Sequence, residues 1–329
     1  MKTILEKLFA HETLSQEEAA LTLGKIASGE GNEAQLAALM TVFLMRSITP
    51  DELKGFRSAL LEHCVKTELP CDDAIDLCGT GGDGKNTFNI STLTGFVVAG
   101  AGGKVIKHGN YGVSSVSGSS NVLEQFGYSF TTDPVKLERS LEISGICFLH
   151  APLFHPALKR VAPVRKSLGM KTFFNMLGPL VNPAQPKHRL TGVFSLELAR
   201  TYYYLAQESN EKFTILHSLD GYDELSLTGP AKLFTQDGEQ LSEPADFGME
   251  KLQPVEILGG VTPEGSAKIF HDLLHKRGTK AQENVVLANA ALALQCLGKF
   301  PETADALAAA RESLDSGKAA LAFKRFIVS

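Results

Sequence analysis

The run Asp76-Leu77-Cys78-Gly79-Thr80-Gly81-Gly82-Asp83-Gly84 decides how this chain is read. It directly follows a short β-rich stretch, residues 74–77, and a helical stretch opens near Ser91. Such a loop leaves successive backbone N–H groups pointing into one concavity, and the following helix adds the positive end of its dipole. Together they suit a phosphate.

Outward from this loop the same alternation continues. Residues 104–106, 146–149, 190–194 and 213–217 read as further strands, with helices expected near 91–101, 134–143 and 197–208. Strand and helix in alternation predict an α/β fold whose central sheet is mainly parallel and flanked by helices. Residues 233–241, turning at Asp237-Gly238, read as a hairpin at the sheet edge. Helices are expected again at 283–294 and 303–313. The first seventy residues read as helices only: Ser15 with Glu18, and Thr49 with Pro50 and Glu52, are capping signals that start helices near 16 and 50. Leu36, Leu39, Met40, Phe43 and Leu44 form a broad apolar stripe, read either as packing within a small bundle or as a subunit interface. Residues 156–188, rich in helix formers, interrupt the alternation and are expected to return to the helical part.

Two familiar phosphate patterns fit the glycine loop badly. Gly79, Gly81 and Gly84 satisfy G-x-G-x-x-G, yet Lys104 and Lys107 stand where a dinucleotide site needs a ribose-binding acid. The Walker pattern fails at Asn86, where a magnesium-binding hydroxyl belongs, and Asp83 inside the loop repels phosphate unless it meets a sugar hydroxyl, an amine or a metal-bound water. The loop runs on through Thr87-Phe88-Asn89-Ile90-Ser91-Thr92, where Asn89 or Ser91 can equally cap a helix. Lys107-His108-Gly109-Asn110, followed by Ser114, Ser115, Ser117, Gly118 and Ser119, reads as a second anion cradle that can close over a ligand. Asp223 and Glu224, in Asp220-Gly221-Tyr222-Asp223-Glu224 after the strand at 213–217, are placed to hold Mg²⁺ bridged to phosphates.

Composition narrows the partners. With 329 residues, 43% of them hydrophobic, the chain has ample core for one large or two ordinary domains. Its 32 basic against 37 acidic residues disfavour non-specific binding to nucleic acid or to an anionic membrane. The apolar windows are too short for a transmembrane helix. Five cysteines without a Cys-x-x-Cys pair read as reduced thiols, so a cytoplasmic protein is expected.

Taken together, Gly79 to Asp83, Asn89 to Thr92, Lys107 to Asn110, Ser117-Gly118-Ser119, the run NMLGPLVNP at 175–183 and Asp223-Glu224 resemble, in order and spacing, the anthranilate phosphoribosyltransferases of tryptophan biosynthesis. The resemblance covers nearly the whole chain. It implies a small discontinuous helical domain, 1–70 plus about 156–188, that forms a homodimer and would account for the apolar stripe, beside a large α/β domain, 71–155 plus 189–329. It implies transfer of the phosphoribosyl group of 5-phosphoribosyl 1-diphosphate to the amine of anthranilate, with Mg²⁺ as cofactor, two ions per subunit. By the same resemblance Gly79, Gly82, Asp83, Thr87, Asn89, Ile90, Ser91, Thr92, Lys107, His108, Gly109, Asn110, Tyr111, Gly112, Val113, Ser114, Ser115 and Ser119 would bind the phosphoribosyl diphosphate. Arg165, Asn110, His108 and Gly79 would meet anthranilate, and Ser91, Asp223 and Glu224 would ligate Mg²⁺. No dedicated acid or base is implied.

Three positions depart from the family pattern: Tyr111 and Val116 stand where basic residues are usual, and Lys171 replaces a frequent arginine. The backbone of residues 111–115 is expected to compensate for the first two, so that Tyr111→Phe still binds phosphoribosyl diphosphate. Two other readings remain: a nucleoside phosphorylase, which needs no Asp-Glu metal pair, and a non-enzymatic nucleic-acid-binding relative, which the net charge of -5 disfavours.

Overall fold

The structure, a computed structural model, describes residues 1–112 and 115–329. It opens with the helices α1 (Lys2–Phe9), α2 (Gln16–Ala27), α3 (Glu33–Met45) and α4 (Pro50–Glu62). The capping boxes at Ser15/Glu18 and Thr49/Glu52 are both formed, and a third, Asn32/Gln35, starts α3. Each places a side-chain oxygen on an amide that the first turn leaves unpaired.

The chain then alternates through β1 (Ala74–Leu77), α5 (Ile90–Gly100), β2 (Lys104–Gly109), α6 (Ser119–Gln125), α7 (Pro134–Ser144) and β3 (Ile146–His150). After α8 (Ala151–Phe154) and α9 (Ala157–Leu168), two 3₁₀ turns, Phe173–Met176 and Gly178–Leu180, lead into β4 (His188–Gly192). There follow α10 (Leu196–Gln207), β5 (Lys212–Ser218), β6 (Ala231–Thr235) and β7 (Gly238–Ser242), and then α11 (Pro263–Leu274), α12 (Lys280–Cys296), α13 (Thr303–Asp315) and α14 (Lys318–Ile327).

The sheet order is β3-β2-β1-β4-β5-β6-β7. Pairing is parallel from β3 to β5 and antiparallel for β6 and β7, so the expected hairpin does close the edge. β1, β3 and β4 are buried along their whole length, because parallel strands are covered on both faces. β4 begins two residues before the expected stretch and stops at Gly192, where the backbone of Asp223 packs so closely that any side chain would collide.

One core joins the sheet to α5, α12, α13 and α14. The other joins the first four helices to α9, the 3₁₀ turns, α10 and part of β5. Within it the ring of Phe173 lies 4.8 Å from that of Phe43 and 4.7 Å from that of Phe56. This corrects the interface reading of the α3 stripe: Leu36, Leu39, Met40 and Phe43 are buried inside the chain, so no subunit contact is needed to account for them. Of the stripe only Leu44, together with the next residue Met45, faces outward.

Candidate active site

Strand order reverses at the β1/β4 boundary, and the loops leaving the carboxyl ends of the strands part there to open a crevice. A cavity of about 220 Å³ occupies it, lined by the glycine loop, the start of α5, the loop after β2, α9 and the Asp223-Glu224 turn.

The glycine loop is tied to its neighbours on both sides. Thr80 N–H donates to the Gly192 carbonyl at 2.9 Å, and Gly81 N–H to Asp223 Oδ2 at 2.6 Å. A β-carbon on Gly79 would stand 2.6 Å from the same carboxylate oxygen, so only glycine lets Asp223 approach. Gly79→Ala is therefore expected to displace Asp223 and cost at least about tenfold in kcat/KM, with an unfolding midpoint near that of the wild type; full activity would show that this packing is not needed.

The α5 terminus is capped from a distance. Asn89, at the cap position, makes no cap bond, and its Nδ2 donates instead to the Ser117 carbonyl at 2.9 Å, which ties the α5 terminus to the loop after β2. The amide of Ser91 donates to Glu224 Oε1 at 3.2 Å. A carboxylate at a helix N-terminus is favoured by the dipole. The Asp223-Glu224 turn is held in turn by α12: buried Asn289 donates to the Leu225 carbonyl at 2.9 Å and accepts its N–H at 3.2 Å.

These acids are crowded. Burial, then the neighbouring Asp83 and Glu224, holds the Asp223 carboxyl well above its usual range. Burial pushes Glu224 up to about 7 against the opposing pull of Lys107. Among the described residues no three His, Cys, Asp or Glu side chains form a ready-made metal cage. Ser91, Asp223 and Glu224 nevertheless offer hard oxygen donors of the kind Mg²⁺ accepts alongside phosphate oxygens, and a cation would relieve their mutual repulsion.

Lys107 is 2% exposed and donates to the Leu77 carbonyl and, at 3.3 Å, to Ser91 Oγ. Its unforeseen companion is Asp76, 1% exposed, whose Oδ1 accepts the His108 amide at 3.1 Å. Burial raises Asp76 to about 6, with Lys107 opposing. No sequence signal marks Asp76 as part of the site, because a four-residue strand buried on both faces does not reveal what its acid meets.

His108 Nδ1 lies 3.0 Å from the Gly178 carbonyl, which makes it the protonated nitrogen and leaves Nε2 an acceptor with no partner among the described residues. Burial, with His155 adding, pushes its pKa down to about 3, so the ring is neutral and a feeble base.

Arg165 is not the free surface arginine that composition alone allows. Its Nη2 donates to Asn175 Oδ1 at 3.2 Å, its guanidinium lies 5.8 Å from the Phe174 ring centre, and its buried Nε has no partner among the described residues. The apolar lining residues Leu60, Leu158, Phe174, Leu177 and Val181 belong to the same core as Val161 and Val164 on α9, the helix that carries Arg165. The cavity thus has two ends, one apolar with a guanidinium, one built from amides, hydroxyls, Lys107 and acids.

Gly82, Thr87, Ile90, Thr92, Gly109, Asn110, Tyr111, Gly112, Ser115 and Ser119 also line the cavity, whereas Val113 and Ser114 lie outside the described residues. Two amides expected to cradle phosphate are engaged here, Tyr111 N–H by Asn110 Oδ1 at 2.7 Å and Gly112 N–H by Asn121 Oδ1 at 2.9 Å. The Tyr111 hydroxyl donates to Glu124 at 2.7 Å. Lys171 runs its stem along Gly82 and sets its ammonium 5.8 Å from the Phe194 ring centre. Phe174, Asn175 and Lys85 also line the cavity; of these only Asn175 falls in a recognisable run, 175–183.

The glycosyl transferase family matches in two parts, its helical bundle domain over residues 2–64 and its a/b domain over residues 71–320. The anthranilate phosphoribosyltransferase of Flavobacterium johnsoniae is 58% identical over 325 residues, covering 99% of this chain and 98% of that protein. That of Bacteroides thetaiotaomicron is 53% identical over 327 residues, with 99% and 98% covered. Among solved structures, the anthranilate phosphoribosyltransferase of Thermus thermophilus superposes with a TM-score of 0.89 at 33% identity, covering 98% of each chain. The Saccharomyces cerevisiae enzyme in complex with PRPP and Mg gives a TM-score of 0.90 at 27% identity, covering 98% of this chain and 96% of that one. A two-ended cavity at the strand-order reversal, in a chain alike over its whole length to these proteins, makes it a member of the anthranilate phosphoribosyltransferase family of glycosyl transferases.

Proposed function

We propose that the cavity joins the amine of anthranilate to C1 of 5-phosphoribosyl 1-diphosphate. The observation that carries this reading is the pairing of the Arg165–Asn175 end, apolar and cationic, with the Lys107–Glu224 end, in a chain of this family. A planar guanidinium beside Phe174 suits an aromatic carboxylate, and it binds one better than an ammonium would. Amides of the glycine loop, Ser91, Thr92 and Lys107 suit the diphosphate and ribose.

In the reaction the amine nitrogen lone pair forms the N–C1 bond, the C1–O bond breaks with its electrons going to pyrophosphate, and the amine then loses a proton. Positive charge grows on the ribose and negative charge on the leaving oxygens, which the Lys107 ammonium beside Ser91 would stabilise. Mg²⁺, two ions held by Ser91, Asp223 and Glu224, would supply Lewis-acid neutralisation of that charge. Orientation does the rest: Arg165 and Asn175 set the ring, and the glycine loop and α5 set the ribose, so that nitrogen and C1 meet. His108, neutral with Nε2 facing no donor among the described residues, would accept a hydrogen bond and is not required as a base. Asn110 and Gly79 complete the anthranilate end.

The same reading divides the chain into a helical unit, 1–70 with about 156–188, and an α/β unit, 71–155 with 189–329, and makes the helical unit the homodimer contact through its outward residues. It places the enzyme in the cytoplasm; among the described residues no helix is long and apolar enough to cross a membrane.

Pyrophosphate release tests this against nucleoside phosphorolysis. Release is expected with phosphoribosyl diphosphate, anthranilate and Mg²⁺, and loss of it on chelation. Ribose 1-phosphate formed from a nucleoside and phosphate, with no pyrophosphate in the first mixture, would overturn the reading.

A further inference from the structure

The cavity lining carries as many acids as bases: Asp83, Asp223 and Glu224 against Lys85, Lys107 and Arg165. Two of the three bases are fixed in place. Lys107 is buried against the Leu77 carbonyl and Ser91, and Arg165 belongs to the apolar end with Asn175. From the loop after β2 the described residues bring hydroxyls and amides but no cation. A diphosphate with several negative charges thus meets, besides Mg²⁺ and the fixed Lys107, a shortage of positive charge among the described lining residues.

Lys85 is placed to make it good. Its backbone is fixed on both sides: its own N–H donates to Asp83 Oδ1 at 2.9 Å, and Asn86 Nδ2 donates to the Gly260 carbonyl at 3.2 Å. Its side chain is half-buried, and its ammonium lies 4.6 Å from the ring centre of Tyr222, the residue before Asp223-Glu224. Gly221 lies against the stem, where a β-carbon would make an ordinary contact of 3.8 Å with Lys85 Cε. The Tyr222 ring is buried, yet a single cation–ring contact is worth less than charge-assisted hydrogen bonds to several phosphate oxygens, so the ammonium can leave the ring when a diphosphate arrives.

We propose that Lys85 is a substrate-binding residue that swings from Tyr222 to the diphosphate end of phosphoribosyl diphosphate and helps hold the departing pyrophosphate. This rests on the phosphoribosyltransferase reading above. It assigns Lys85 to the diphosphate and not to the 5-phosphate, because Tyr222 holds it beside the acids that would carry the metal.

The test is calorimetric titration of the full chain, in Mg²⁺, with pyrophosphate and separately with ribose 5-phosphate. In Lys85→Met, pyrophosphate is expected to bind about tenfold more weakly, with ribose 5-phosphate within about twofold of wild type; in Lys85→Arg, which keeps the charge, both stay within about threefold. In turnover, KM for phosphoribosyl diphosphate rises in Lys85→Met while KM for anthranilate holds, and the unfolding midpoint is unchanged. Equal weakening of both ligands, or wild-type pyrophosphate affinity in Lys85→Met, overturns the role of Lys85 while wild-type turnover leaves the reading of the site intact. A wild-type chain that binds neither pyrophosphate nor phosphoribosyl diphosphate overturns both.

Discussion

Lys107→Met is expected to lower kcat by roughly a thousandfold and to destabilise the fold by about 3 kcal/mol at neutral pH. The rate loss follows from removing a preorganised cation where negative charge develops. The stability loss has a separate origin. Lys107 is the positive charge acting on buried Asp76 and on Glu224, and a methionine of similar shape would leave both without it.

The pH dependence tells the two losses apart. Burial already raises Asp76 to about 6 and Glu224 to about 7, and without the lysine both rise further. Between the unfolded value, about 4, and the raised folded one, the native state holds protons that the unfolded state has released, so stability falls as pH rises. The deficit of Lys107→Met relative to wild type should thus be smaller at pH 5 than at pH 8. Adding Asp76→Asn should restore part of the stability and none of the rate. Denaturant titrations at the two pH values check this; a deficit independent of pH would place the lysine away from these acids.

Arg165→Ala should raise KM for anthranilate by about 10- to 100-fold, the range expected for one charge-assisted contact to a carboxylate, and KM for phosphoribosyl diphosphate by less than about threefold. The asymmetry is the informative part. Arg165 stands at the apolar end beside Phe174, and its buried Nε has no partner among the described residues, as expected of a donor waiting for a carboxylate. Arg165→Lys should recover only part of the loss, because an ammonium cannot offer the planar fork. Initial-rate measurements with each substrate varied decide the point; equal loss for both substrates would assign Arg165 to the frame of the cavity.

Much of the fold was legible because the signals are local. The short apolar runs bounded by glycine became β1 to β5, Asp237-Gly238 marked the edge hairpin, and Ser15/Glu18 and Thr49/Glu52 started α2 and α4. The α3 stripe shows the limit: its periodicity reported an apolar face correctly and said nothing of its partner, which is Phe56 with Phe173 from more than a hundred residues away. The site was legible wherever a motif is contiguous. It was illegible wherever a contact joins distant segments. Asn89 looked like a cap and proved to be a tie to Ser117, while Glu224 caps α5 from 133 residues downstream. Asn289 on α12, which fixes the acidic turn, carries no sequence signal at all, because an asparagine within the apolar stretch 285–294 announces no partner.

Transfer requires one cavity to bring anthranilate and phosphoribosyl diphosphate together. The decay of anthranilate fluorescence on adding the chain to both substrates and Mg²⁺ measures it directly. The decay is expected to require all three components and to be lost in Lys107→Met. Steady fluorescence with folded wild-type protein would contradict it.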